Sequence, residues 1–511
     1  MHPLGFISWI LLSPVIGGCL LFFVPEKRTG VIKGISIASV SSSLFFAIAA
    51  FLKYDRALGG FQFVDKIRWI PELGISYHVG VDGINLVLLL MTAILSFAGV
   101  WITFSVNKRV KEYFIFYLFL IAGCFGTLSA LNIFFMYFFY ECAVVPVFPL
   151  IGIWGSGNKE YATMKLTLYL TLGAVLALVA LLALYFATGL NTFDFPVIQE
   201  ALKNHPLPIS FQRWAFPFIM VGFGVILTLW PFHTWSPMGY AAAPTSVSML
   251  HAGVLKKLGA YAIIRLGISL MPAGAAIWMP FVAWIAVINI VYCGLVAYTQ
   301  KDLKYILGYS SCSHMGYILL GLSCLTPIGL NGTVFFMFAH GLMAALGFAL
   351  VGFIYEQTHT RMLDDWGGFG KKVPFIATLF IMMSMASSGL PGFGNFIGEM
   401  MILLGSWDKY RLQTIFAVAG LVITAGYMLK MIRASMQGPL NSHGASLSDA
   451  RGIQRLPYLL LIVMLLAVGF LPSILLPTIS SGTKPILETI QKQNVILSEA
   501  KNLKTRSEKP L

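Results

Sequence analysis

Five ionisable residues stand where an apolar sequence offers them no cheap place. Glu141 lies in ALNIFFMYFFYECAVVPVFPLIGIWG, Lys257 in SMLHAGVLKKLGAYAIIR and Glu399 in SGLPGFGNFIGEMMILL, while His314 and His340 lie in YSSCSHMGYILLG and FFMFAHGLMAALG. A charge at mid-bilayer costs at least about 2.5 to 3.5 kcal/mol, so by default such a residue marks a pathway. A glutamate is too short to snorkel out of the middle of a span. Lys256 beside Lys257 also has a bland reading, because adjacent helical residues point about 100° apart and only one need face the pathway. Histidine exchanges protons near neutral pH and suits a relay, although a buried ring held by a backbone carbonyl is the plain alternative for both. His359, in a loop with Thr360 and Arg361, reads as structural.

The elements that must position these groups are membrane helices. The 511 residues are 58% hydrophobic and 11% charged, far below the roughly 25% charge of soluble domains. Apolar runs recur from Pro3 to Pro477, about fourteen of them, each able to cross roughly 30 Å of hydrocarbon. Ten-residue segments of alternating hydrophobicity are missing, which argues against an outer-membrane barrel. Met1–Val24 has almost no positive flank and reads as a first helix, not a cleaved signal.

The net charge of +14 does not point to nucleic acid, because the basic residues are scattered through interhelical loops. Alternate loops carrying Lys27, Arg28, Lys108, Arg109, Lys111, Arg361, Lys371 and Lys372 hold about twice the Lys and Arg of the others, which places both termini outside. The six cysteines fall singly in apolar spans and read as packing residues. No GxGxxG, GxxxxGK[ST] or CxxCH occurs, so neither a nucleotide nor a haem site is visible.

Two spans are interrupted in corresponding places, span seven at WPFHTWSP and span twelve at SGLPGFGN. Paired Pro/Gly-interrupted helices free backbone groups that must face a cavity, and they point to a midplane site between two repeats. The expected organisation is helices one to three over residues 1–112, a first five-helix half over 113–270 and a second over 271–436. A fourteenth helix follows over 437–483, then a basic polar tail over 484–511.

On these residues the chain resembles the antiporter-like membrane subunits of respiratory complex I, most closely the M-type chains of NADH:quinone oxidoreductase. The resemblance runs from about Trp69 to Pro472 and is carried by WIPELGISYHVGVDGINL, the Glu141 span, WPFHTW, APTSVSMLHAGVLKKLGAYAIIR, YSSCSHMGY, FAHGL, THTRMLDDWGGFGKKVP and SGLPGFGNFIGEMMIL. It implies an all-α fold of fourteen helices with two inverted five-helix repeats, in a bacterial inner membrane. It also implies proton translocation driven remotely by quinone reduction, with Glu141, Lys257 and Glu399 as proton-carrying residues. No cofactor is expected in this chain; NADH, FMN, iron–sulfur clusters and quinone belong to partner subunits. The implied partners are other membrane-arm subunits, further antiporter-like chains among them, and lipid.

The chain departs from the pattern at one point that matters. The family has a lysine on helix seven, five residues before the motif proline, and here that residue is Ile226. The usual LPDAH has become SPMGY, Ser236 to Tyr240, and a common aspartate is Asn132. Lys256 and His251 replace apolar residues, and with His233 they are the candidates to supply the positive partner of Glu141. The competing expectations are a pumping-silent subunit of a complex I variant, and a Na⁺/H⁺ antiporter or hydrogenase membrane module.

Overall fold

The computed structural model describes residues 5–444 and 446–507. It begins with two antiparallel membrane helices, α1 (Phe6–Phe23) and α2 (Thr29–Lys53). The expectation of a purely helical chain meets one exception, an antiparallel hairpin of β1 (Gln62–Ile70) and β2 (Ile75–Val81). Pro71 opens a single 3₁₀ turn and Gly74 closes it at φ 65°. A Cβ on Gly74 would also lie 2.3 Å from the Asn191 carbonyl oxygen, so both the turn and the close approach require glycine.

Helix α3 (Gly83–Ile102) follows directly, and its start is fixed by reciprocal caps: Asp82 accepts from the Ile84 and Asn85 N–H groups while Asn85 accepts from that of Asp82. Next come α4 (Val110–Ser129), the bent pair α5 (Ile133–Val144) and α6 (Val147–Trp154), α7 (Lys159–Thr188) and the short surface helix α8 (Phe195–Asn204). The expected interruption of span seven separates α9 (Ile209–Leu227) from α10 (Trp235–Ala242). The following span comprises α11 (Thr245–Leu250) and α12 (Lys256–Ala262), with π-helical segments over His251–Leu255 and Ile263–Ile268.

Three long helices continue the chain, α13 (Pro272–Thr299), α14 (Leu303–Cys324) and α15 (Pro327–Thr358). The second expected interruption separates α16 (Pro374–Ser387) from α17 (Gly394–Trp407), and α18 (Arg411–Met436) and α19 (Leu456–Phe470) complete the bundle. Among the described residues twelve helices are long and apolar enough to cross a membrane, against the fourteen spans expected. The physical reasons are local: α14 carries the polar run SSCSH, and the interruption leaves α16 and α17 at 14 residues each.

The segment expected as a polar tail continues instead as helix α20 (Leu476–Ser507). Ile479, Ile486, Leu487 and Ile490 share one buried face, which packs against α3, α15 and α13. Thr483 anchors it by donating to Asn331 Oδ1 at 2.5 Å. The centre of the bundle is the Thr245–Ile268 span with α14 and α15, all enclosed, while α2, α7 and α18 present much of their length outward.

Candidate functional site

Lys257 is 1% exposed and occupies the first turn of α12, directly after a π segment. A π turn displaces carbonyls from the regular ladder, and Lys257 Nζ donates to one of them, Ala252 O, at 2.5 Å. The same ammonium donates to His340 Nδ1 of α15 at 2.8 Å. The His340 ring lies 5.1 Å, centre to centre, from that of His314 on α14. His314 Nε2 is in turn 3.8 Å from Glu399 Oε1 on α17. Four of the expected residues therefore form one buried row: Lys257, His340, His314 and Glu399.

His314 is held at both ring nitrogens, Nδ1 at 2.7 Å from Ser310 O and Nε2 at 3.1 Å from Ser387 O. A neutral imidazole can donate at one nitrogen only, whereas the imidazolium satisfies both carbonyls. Glu399 is 1% exposed and its oxygens accept no hydrogen bond among the described residues. It lies against the second interruption: Gly389 has φ 70°, and a Cβ there would come 2.4 Å from Glu399 Oε2.

The first interruption is closed by two side chains, Asn289 and Trp235. Asn289 of α13 accepts from the Trp230 N–H at 2.7 Å and donates to Thr228 O at 2.8 Å and Cys312 O at 3.3 Å. Trp235 Nε1 donates to Val225 O at 3.0 Å. Thr228 ends α9 at φ 67°, with the Leu229 N–H reaching back to Gly224 O at 2.8 Å. Much of the broken backbone is thus satisfied internally, as the absence of water in hydrocarbon demands.

The remaining sequence candidates do not join that row. Lys256, fully buried, points away from Lys257: its Nζ lies 3.2 Å from Ser311 Oγ, 3.6 Å from Cys312 Sγ and 4.9 Å from the centre of the Tyr240 ring. His251 packs between Trp235 and Tyr240, and neither its nitrogens nor those of His233 have a hydrogen-bond partner among the described residues. Ile226 is fully buried against Gly259, where a Cβ would lie 2.6 Å from Ile226 Cγ2.

Glu141 is only partly buried and shares its face of α5 with Phe138, 45% exposed, and Val145, 62% exposed. It makes no ion pair within 4.0 Å among the described residues, with Lys256 or any other cation. The expected pairing of Glu141 with Lys256 or a histidine is therefore not the arrangement found. The physical reason is placement: Glu141 lies on the half-exposed face of α5 with its Oε1 buried and unpartnered among the described residues, whereas Lys256 turns toward α14.

Several buried polar groups escaped the sequence reading. Arg265 pairs with Asp82 in an enclosed bridge between the α12 span and the α3 cap. Lys304, 2% exposed, donates to Ala243 O at 2.7 Å. Asn289 resembles any polar residue in an apolar run, and only its partner 61 residues away at Thr228 reveals its task. Asp194 carries another cluster outside the spans, with Lys66, Ser76 at 2.9 Å, His78 at 3.2 Å and Asn132 at 3.3 Å. Burial pushes its carboxyl up, but hydrogen bonds from His78 and Lys66 outweigh that and hold it well below the usual carboxylate range.

Interrupted membrane helices around an enclosed row of acid, lysine and histidine define a class of antiporter-like integral membrane proteins. Residues 130–424 match the family model described as NADH:quinone oxidoreductase/Mrp antiporter, TM, and the chain belongs to that family. NADH-quinone oxidoreductase subunit M of Rickettsia bellii is 34% identical over 483 residues, 93% of this chain and 97% of that one. NAD(P)H-quinone oxidoreductase chain 4 1 of Synechococcus elongatus is 32% identical over 512 residues, covering 99% and 95%. A chain of respiratory complex I from Thermus thermophilus has TM-score 0.85 and 25% identity, covering 95% of this chain and 99% of that one. A chain of the Mrp complex from Dietzia sp. shares the fold, with TM-score 0.82 at 19% identity, covering 95% and 98%.

Proposed function

We propose that the chain is a membrane-arm subunit of an NADH:quinone oxidoreductase and moves protons across the membrane without a redox centre of its own. The observation that carries this reading is the buried row Lys257, His340, His314 and Glu399, running between the two interrupted helices. Each member holds or releases a proton, and a charge appearing at one is felt by the next through a medium where pair energies of several kcal/mol are plausible. In this reading α14 and the α16 and α17 pair complete fourteen crossings, with residues 113–270 and 271–436 as inverted halves. Both termini lie on the outer side of a bacterial inner membrane. Glu141, at the edge of the bundle, takes protons beside a neighbouring antiporter-like chain, and Glu399 releases them outward. NADH, FMN, iron–sulfur clusters and quinone reside in partner subunits, and lipid surrounds the arm.

The test is the number of protons moved per NADH oxidised by the intact complex in liposomes. Lys257→Ala, Glu399→Gln and Glu141→Gln each lower that ratio; a wild-type ratio in all three refutes the reading. A second reading, a pumping-silent subunit, is favoured by Ile226 filling the helix-seven position against Gly259. On that reading Ile226→Lys raises the ratio and Lys257→Ala leaves it unchanged.

A further inference from the structure

A second enclosed polar row leaves α12 from Lys256, on a different side from Lys257. Lys256 donates to Ser311 Oγ and Cys312 Sγ, at 3.2 and 3.6 Å, and Cys312 Sγ donates onward to Ser236 Oγ at 3.7 Å. Ser236 lies in the first turn of α10, and three residues before it stands His233, 3% exposed with both ring nitrogens unpartnered among the described residues. Lys256 and Cys312 each point to an acceptor that can pass its own proton on, while the Ser236 hydroxyl and the His233 ring make no side-chain hydrogen bond to each other among the described residues. Lys256 makes no ion pair within 4.0 Å among the described residues. A wholly buried ammonium with no carboxylate partner is costly to keep charged unless it can discharge. Three of the residues that set this chain apart from its family pattern, Ser236, Tyr240 and Lys256, meet in this one cluster.

We propose that Lys256 is a second proton-carrying lysine, exchanging its proton with the α9 and α10 interruption through Cys312, Ser236 and His233. This rests on the translocation reading above. Lys256 Nζ gives a proton to Cys312 Sγ as the thiol gives its own to Ser236 Oγ, and a rotation of the His233 ring toward Ser236 then lets the hydroxyl give its own proton to a ring nitrogen, both of which are unpartnered among the described residues. Lys256 is left neutral and His233 an imidazolium, with no net bond change and no oxidant. Because Lys256 and Lys257 are neighbours in an enclosed span, a charge on one disfavours a charge on the other. Discharge of Lys256 toward the interruption therefore readies Lys257 to take a proton for the His340 row.

In the intact complex in liposomes, Lys256→Leu and Cys312→Ala each lower the protons moved per NADH by the same fraction as Lys257→Ala. Cys312→Ser, whose hydroxyl can accept and pass a proton, restores the ratio. A loss in Lys257→Ala with wild-type ratios in Lys256→Leu and Cys312→Ala overturns this proposal alone. No loss in any of the three removes the translocation reading with it. Where Lys256→Leu fails to assemble, the two Cys312 variants decide without altering charge, and equal ratios in them overturn the proposal.

Discussion

Lys257 of α12 and His340 of α15 are joined by a 2.8 Å hydrogen bond across 83 residues of sequence, both side chains enclosed. Lysine has no acceptor, so His340 Nδ1 accepts and any proton on the ring sits at Nε2, on the nitrogen left free of the lysine. His340→Leu leaves a buried ammonium short of a partner, at a cost of about 2 to 3 kcal/mol. Lys257→Leu/His340→Leu together should destabilise by less than the sum of the two, since they share one interaction. Thermal inactivation midpoints of the assembled complex measure both, and strict additivity would show that the pair is not coupled.

Asn289→Leu should weaken the chain more than an ordinary core exchange of similar size. It orphans the Trp230 N–H and one partner of Thr228 O, each worth about 1 to 3 kcal/mol when buried. The expected readout is a lowered inactivation temperature and reduced amounts of assembled complex, with Asn289→Asp recovering part of the loss through the retained acceptor.

Gly389→Ala strains the second interruption twice. A φ of 70° is unfavourable for any side chain, and the new methyl would meet Glu399 Oε2 at 2.4 Å. The carboxylate must shift away from His314, so protons moved per NADH should fall toward the value of Glu399→Gln. An exchange in a flanking exposed position such as Leu390→Ala provides the comparison and should leave the ratio near wild type.

Asp194 predicts an acid-side loss of stability. Its carboxyl is held below the usual range in the folded chain, by hydrogen bonds that prevail over burial. A depressed acid contributes stability that is complete above its unfolded value of about 3.9 and is lost as pH falls through that value toward the folded one. The stability gap between wild type and Asp194→Asn should therefore be full at neutral pH and shrink below about pH 5. A gap that stays constant down to pH 3 would place the effect in packing instead.

Much of this protein was legible in its residues. Apolar runs set the membrane class, because hydrocarbon admits only backbones that satisfy themselves, and Pro231 and Pro391 marked both interruptions. Lys257, His314, His340 and Glu399 stood out because a titratable group in an apolar span must have a use. The hairpin was missed because irregularities between Gln62 and Asp65 and between Arg68 and Ile70 break the alternation of its first strand, and Pro71 and Gly74 look like any loop. Helix α20 was missed because its apolar face is sparse and becomes meaningful only where α3 and α15 receive it.

Which of two adjacent lysines faces which row was decided by tertiary structure alone. Neighbouring helical residues diverge by about 100°, and the π segments on either side of α12 shift the phase further. The sequence therefore specified two buried cations but not their directions. From α12, which packs on α9 and α4, Lys257 reaches His340 of α15 and Lys256 reaches Cys312 of α14, and α5 leaves Glu141 partly exposed and apart from both lysines. Sequence determined which charges enter the membrane, since that depends on composition along one span. Their partners lie tens of residues away on other helices, and only the packed bundle brings those within hydrogen-bonding reach.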